Sequence, residues 1–177
     1  MAIEAGSYQL GPGDGTLRVH TSRSGAAARA GHDLVIEVTD WQGTLEVGDG
    51  TRVELTADPS SLRVVEGTGG IQALGDDDKA EIHKTIVGDV LGRDGIAFRS
   101  TAVEVGDGAL AVQGDLTLAG STRQVSFDLH VADGRLQGTA VVTQTDFAIK
   151  PYSTLFGALK VADAVEVALD AGLPQSA

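Results

Sequence analysis

Between Ile96 and Gln144 the chain carries four runs of alternating apolar and polar residues, 96–105, 109–118, 123–132 and 135–144, separated by short breaks. A period of two sends successive side chains to opposite faces of a strand, so each run offers one face to a core and one to water. The clearest case sets Val125, Phe127, Leu129 and Val131 against Ser126, Asp128 and His130. The breaks Gly106-Asp107-Gly108 and Asp133-Gly134 hold residues that accept the positive φ of tight hairpin turns. This region is therefore expected to fold as a meander of antiparallel neighbours.

The same alternation recurs at Leu17/Val19/Thr21, Leu34/Ile36/Val38, Val53/Leu55/Ala57 and Val165/Val167/Leu169, with Gly48-Asp49-Gly50 as a further turn. One segment departs from it. From Asp76 to Leu91 the apolar residues Ile82, Ile86, Val87, Val90 and Leu91 recur at steps of three and four, the face of a helix. Asp76, Asp77 and Asp78 then stand at its positive end and Gly92 follows as a stop. A shorter helical candidate is Ala26-Ala27-Ala28-Arg29-Ala30, ended by Gly31. A sheet of about eight strands, apolar on one face, must close on itself or pack against another sheet. The expectation is a single all-β domain over 1–177: an antiparallel β-barrel of about eight strands, wide enough for one small ligand, with a helix at about 76–91 covering one mouth.

Composition narrows the partners. With 25 acidic residues against 13 basic ones the formal charge is −12, which disfavours nucleic acid and anionic lipid at long range, and no Lys/Arg cluster is visible along the sequence. The lack of cysteine excludes disulfides, thiolate metal sites and a thiol nucleophile. No stretch is apolar enough for a helix to span a bilayer, so stable insertion of that kind is not expected. Met1 to Tyr8 has neither a basic segment nor an apolar one of the signal-peptide type, which predicts a cytoplasmic protein, a periplasmic or secreted one being the alternative if a leader has been removed.

Three segments of the second half carry a family resemblance. Ile96-Ala97-Phe98-Arg99-Ser100-Thr101 looks like an apolar-x-Phe-x-Ser strand. Gly114-Asp115-Leu116-Thr117-Leu118-Ala119-Gly120-Ser121-Thr122-Arg123-Gln124-Val125 is close to Gly-x-Leu-Thr-x-x-Gly-x-Thr-(Lys/Arg)-x-Val, and Thr145-Asp146-Phe147-Ala148-Ile149 to Asp-Phe-Gly-Ile. In this order, with the helix in place, they resemble the YceI-like family, the polyisoprenoid-binding, lipocalin-like barrel proteins. The chain departs from the family pattern at Asp94, where a proline is common, at Ala119, where a histidine is common, and at Ala148, which replaces the glycine. The resemblance implies an elongated apolar interior that holds an isoprenoid chain, as a polyprenyl lipid or a quinone tail. It also implies that two copies can pair as a homodimer, although no run of residues marks the face.

Under that implication the apolar faces nominate a lining: Leu17, Val19, Ile36 and Val38 from the early strands, and Ile86 and Val90 from the helix. Phe98, Phe127 and Leu129 come from the meander, and Phe147 and Phe156 flank the Pro151 break. Plain core packing is the competing role for each aromatic ring. Candidate head-group contacts are Arg29, His32, His83 and Tyr152. The favoured competing role for His32 is a buried or capping imidazole bonded to backbone or to Asp33, and for His83 a boundary position on the helix. His20 and His130 are expected to face away from the core by parity. No two histidines have metal-pair spacing, no cofactor is implied, and no Gly-x-Ser-x-Gly elbow is present. A carrier or sequestering protein is the expected function rather than an enzyme. The rival readings are a stress-related protein-interaction module whose barrel is filled by its own side chains, and a small-molecule enzyme that uses the cavity.

Overall fold

The structure is a computed structural model and describes residues 3–175; Met1 and Ala2, part of the segment read for a leader, lie outside the described residues. The strands are β1 (Gly6–Leu10), β2 (Gly15–Thr21), β3 (Arg23–Ser24), β4 (His32–Val38), β5 (Trp41–Val47), β6 (Arg52–Ala57) and β7 (Leu62–Gly69). After helix α1 (Asp76–Thr85) come β8 (Ile96–Val105), β9 (Ala109–Leu118), β10 (Ser121–Ala132), β11 (Arg135–Thr143), β12 (Ser153–Thr154), β13 (Leu159–Val161) and β14 (Ala164–Gly172). The expected meander is β8 to β11, paired antiparallel in sequence order. At the β10–β11 turn both Asp133 (φ 52°) and Gly134 (φ 71°) are left-handed, the pair of conformations that suits the twist of the flanking strands.

The fold is all-β with one helix, but the main sheet has 11 strands, in the order β1-β5-β6-β8-β9-β10-β11-β14-β2-β4-β7, where about eight are expected from the sequence. The excess comes from interruptions that periodicity does not reveal. Only Thr39 and Asp40 separate β4 from β5, yet these strands lie near opposite ends of the order. A sheet whose second strand from each end is joined by two residues has to curl round on itself. At the same bend, the β6–β7 connection contains a 3-10 turn at Pro59–Ser61, started by Asp58, whose carboxylate accepts from the Ser60 amide at 2.8 Å. The two bends are stitched together: Thr39 N–H donates to the Ser61 carbonyl at 3.1 Å and Asp58 N–H to the Asp40 carbonyl at 3.0 Å.

The interior of this curl has two unlike halves. At the base, Tyr8, Leu10, Trp41, Leu45, Leu110, Val112, Val131 and Leu136 are buried against one another as a solid core. Toward the other end, Val19, Leu34, Leu116, Val125, Phe127, Val167 and Leu169 pack on that cluster but are only half-buried, although period two turns them inward. Inward-facing side chains that keep exposed surface are bordering a void. A second cluster, Val142, Phe147 and Ile149, closes the upper side of the same half.

The helix covers the opening as expected, with two local differences. Gly75 rather than an aspartate is its N-cap, and Asp78 accepts from the Gly75 amide at 2.9 Å. The last turn, Ile86–Val90, widens to a π-helix, with Leu91 N–H donating to the Ile86 carbonyl at 2.8 Å. The candidate at 26–30 is a single 3-10 turn, Ala28–Ala30. Beside it β12, β13 and β3 form a small separate sheet.

Candidate ligand-binding site

The void is one cavity of about 560 Å³ in the upper half of the curl, within the range of roughly 300–1,000 Å³ that holds small organic ligands. Its walls are almost wholly aliphatic and aromatic. Leu17, Val19, Ile36 and Val38 line it from β2 and β4, as do Ile86 and Val90 from the widened end of the helix. Phe98, Phe127 and Leu129 line it from β8 and β10. The rings of Phe98 and Phe127 meet with centroids 5.2 Å apart and planes tilted at 57°, an edge-to-face type of contact. This contact depends on Gly114: a Cβ there would collide with the Arg99 carbonyl and lie 2.6 Å from the Phe98 ring.

Two of the aromatic residues expected to line the cavity do not. Phe147 is 2% exposed and packs with Val142 and Ile149, so it supports the wall from behind. The 3-10 turn that carries it ends at Ala148 in the left-handed conformation (φ 57°), which reverses the chain and leaves Ile149, rather than Phe147, on the cavity. Phe156 is fully exposed, because Leu155 (φ 52°), Phe156 (φ 55°) and Gly157 (φ 84°) form a left-handed run that swings the ring outward.

The head-group candidates separate in the same way. His32 and Tyr152 stand at the cavity. His32 Nε2 lies 2.7 Å from the Gln72 carbonyl and its ring packs over Gly70, so it also has the backbone-bonded role. Arg29 is outside, exposed at the end of its 3-10 turn. His83 is outside too: its Nδ1 lies 2.7 Å from the Leu62 carbonyl and 3.0 Å from Arg63 Nη1, so it fastens α1 to β7. His20 lies off the cavity, and His130 is exposed, as parity requires.

The sequence reading missed the polar residues that the small sheet brings to the mouth, namely Arg23, Thr154 and Lys160. Arg23 Nη1 donates to the Gly31 carbonyl at 2.8 Å and its Nε lies 3.8 Å from Asp33. Glu81 and Thr85 of α1 also line the cavity. A two-residue strand has no periodicity to detect, and the pairing of Lys160 with Ser24 joins positions far apart in the chain. The available signal was that Arg23 and Lys160 stand in segments free of carboxylates. Among the described residues no group of three or more His, Cys, Asp or Glu is placed to hold a metal ion.

Solved structures of the same fold include the following two. Burkholderia cenocepacia BcnA shares 16% identity with a TM-score of 0.59, over 87% of this chain and 94% of that one. A mutant CJ YceI protein with a monobromobimane guest shares 13% identity with a TM-score of 0.51, over 80% of this chain and 85% of that one. No curated protein matches. The model of the YceI-like domain matches residues 16–173, which spans the walls of the cavity from β2 to β14, and the chain belongs to the YceI-like family.

Proposed function

We propose that this protein is a non-catalytic carrier or sequestering protein for a long apolar molecule of the isoprenoid class, a polyprenyl chain or a quinone tail. The observation that carries the reading is the apolar cavity of about 560 Å³ in the upper half of the sheet. Counting β4 with β5, and β6 with β7, as one bent strand each leaves nine strands in the curled sheet, of which β1 is an extra strand on the β5 edge and the other eight surround the cavity. On that count every ladder finds its neighbour: the β4–β5 arm pairs β2, the β6–β7 arm pairs β8, and the arms pair each other. Removing an apolar chain from water into such a lumen gains about 0.8 kcal/mol per buried CH₂ before ordering costs are subtracted.

A self-filled barrel describes the base around Trp41 and Leu110, but not the half lined by Val19, Phe127 and Leu169. The test is native mass spectrometry of the purified protein, before and after solvent extraction, followed by incubation with a polyprenol and with a long-tailed quinone. A lipid-sized mass adduct that extraction removes and either compound restores is the expected result. No adduct under any of these conditions would sink the proposal.

A further inference from the structure

Three segments meet at the mouth of the cavity. The middle one, residues 22–32, is held to residues 147–162 by Ala27 N–H donating to the Ala158 carbonyl at 2.7 Å and Ala162 N–H donating to the Ser22 carbonyl at 2.7 Å. Leu159 also packs on Gly31. On its other side His32 packs over Gly70 and bonds the Gln72 carbonyl, which holds residues 67–75. In a chain with 25 acidic residues, these three segments contain no Asp or Glu, the nearest in sequence being Asp33, Glu66, Asp76, Asp146 and Asp163 at their ends. They contain Arg23, Arg29, Lys150 and Lys160. Among the described ion pairs only Arg23 has a partner, Asp33. The same rim carries the most exposed large apolar side chains, Phe156 at 111% and Ile71 at 82%, with Leu155 at 55% and Tyr152 at 47%.

From this we infer that the rim is a docking surface for an anionic lipid bilayer, seating the cavity mouth on the membrane so that an apolar chain passes between bilayer and lumen without crossing water. The inference rests on the carrier reading for its purpose, but the surface stands on its own residues. Phe156 is held outward by a run of left-handed residues that a side chain adopts only at a conformational cost, so its exposure is imposed by the backbone. Exposed aromatic and aliphatic groups beside lysines are the combination that enters a headgroup region while the cations meet anionic lipid. Most of the net charge of −12 lies off these segments, and carboxylates farther than about 8 Å from the membrane are screened at physiological salt. This basic and apolar rim is built from segments separated in the sequence, so no cluster is visible along the chain.

The test is co-sedimentation of the full chain with phosphatidylcholine vesicles, with and without phosphatidylglycerol, in parallel with uptake of a polyprenol in vesicle-free solution. The wild type is expected to bind the anionic vesicles, and to be released by salt. Phe156→Asn keeps a residue that tolerates positive φ and should weaken partitioning by about tenfold. Arg29→Glu with Lys150→Glu should weaken it by at least about fivefold per residue on anionic vesicles alone. None of these residues lines the cavity, so uptake should be unchanged. Wild-type protein that takes up the polyprenol but ignores both kinds of vesicle overturns the docking surface, as do variants that sediment like the wild type. Rim-dependent vesicle binding with no uptake supports the docking surface and removes the carrier reading instead.

Discussion

The division of the interior into a solid base and a hollow upper half predicts a contrast between two leucines. Leu110 is 0% exposed, lies in the base and does not touch the cavity. Leu110→Ala removes about three carbons' worth of transfer free energy, roughly 0.8 kcal/mol each, and opens a new void, for a total loss of about 3 to 5 kcal/mol. Leu169 is half-buried and already borders the cavity. Leu169→Ala forfeits only about half of the transfer contribution and enlarges an existing space, so the expected loss is about 1 to 1.5 kcal/mol. Trp41, the sole tryptophan and 2% exposed, reports unfolding directly. At a urea dependence of about 2 kcal/mol/M, the first variant lowers the midpoint by about 2 M and the second by about 0.5 M. Equal losses for both leucines would mean that the upper half is packed like the base, and the cavity argument would fail with it.

Three further outcomes are expected. Val167→Phe, which adds bulk to a wall position facing the lumen, should hold or raise the urea midpoint while cutting polyprenol uptake at least tenfold in the mass-spectrometric assay. Ala148→Gly restores the residue that a φ of 57° favours and should stabilise the fold by about 1 kcal/mol, read as a rise in the same midpoint. The third concerns acid: hydrogen bonds from the Ser60 hydroxyl and amide hold the Asp58 carboxyl below its ordinary value of 3.8. A depressed value in the fold means that this contribution is complete above 3.8 and lost as pH falls through the folded value. Asp58→Asn should therefore flatten the fall in urea midpoint below about pH 4, and an unchanged slope would remove Asp58 from the account.

What was legible in the sequence was whatever repeats locally. Strands β8 to β11 and the helix from Asp76 carry period-two and period-3.6 signals, with glycine turns between strands, so their residues specify structure without reference to distant partners. The cavity walls were legible for the same reason: parity alone turns Val19, Phe127 and Leu129 inward. It does not say whether the space they face is filled, because that depends on what stands across the barrel. Trp41 and Tyr8 fill the base from β5 and β1, while the corresponding space above is left as the cavity.

The errors fall where the backbone leaves regular dihedrals. Phe147 and Phe156 sit in short 3-10 turns that end in or contain left-handed residues, so a single φ decides whether the ring turns inward or outward. Arg29 and Arg23 exchange roles because β3 exists only through its pairing with β13, in which Val161 meets Arg23. These irregular segments build the mouth, where regular strands would have continued the curled sheet. An opening in a closed ladder requires backbone that stops pairing, and chain released from pairing carries no period to read. The residues that control access to the lumen are for that reason the ones periodicity is least able to assign, and the ones for which the cavity and vesicle measurements discriminate most.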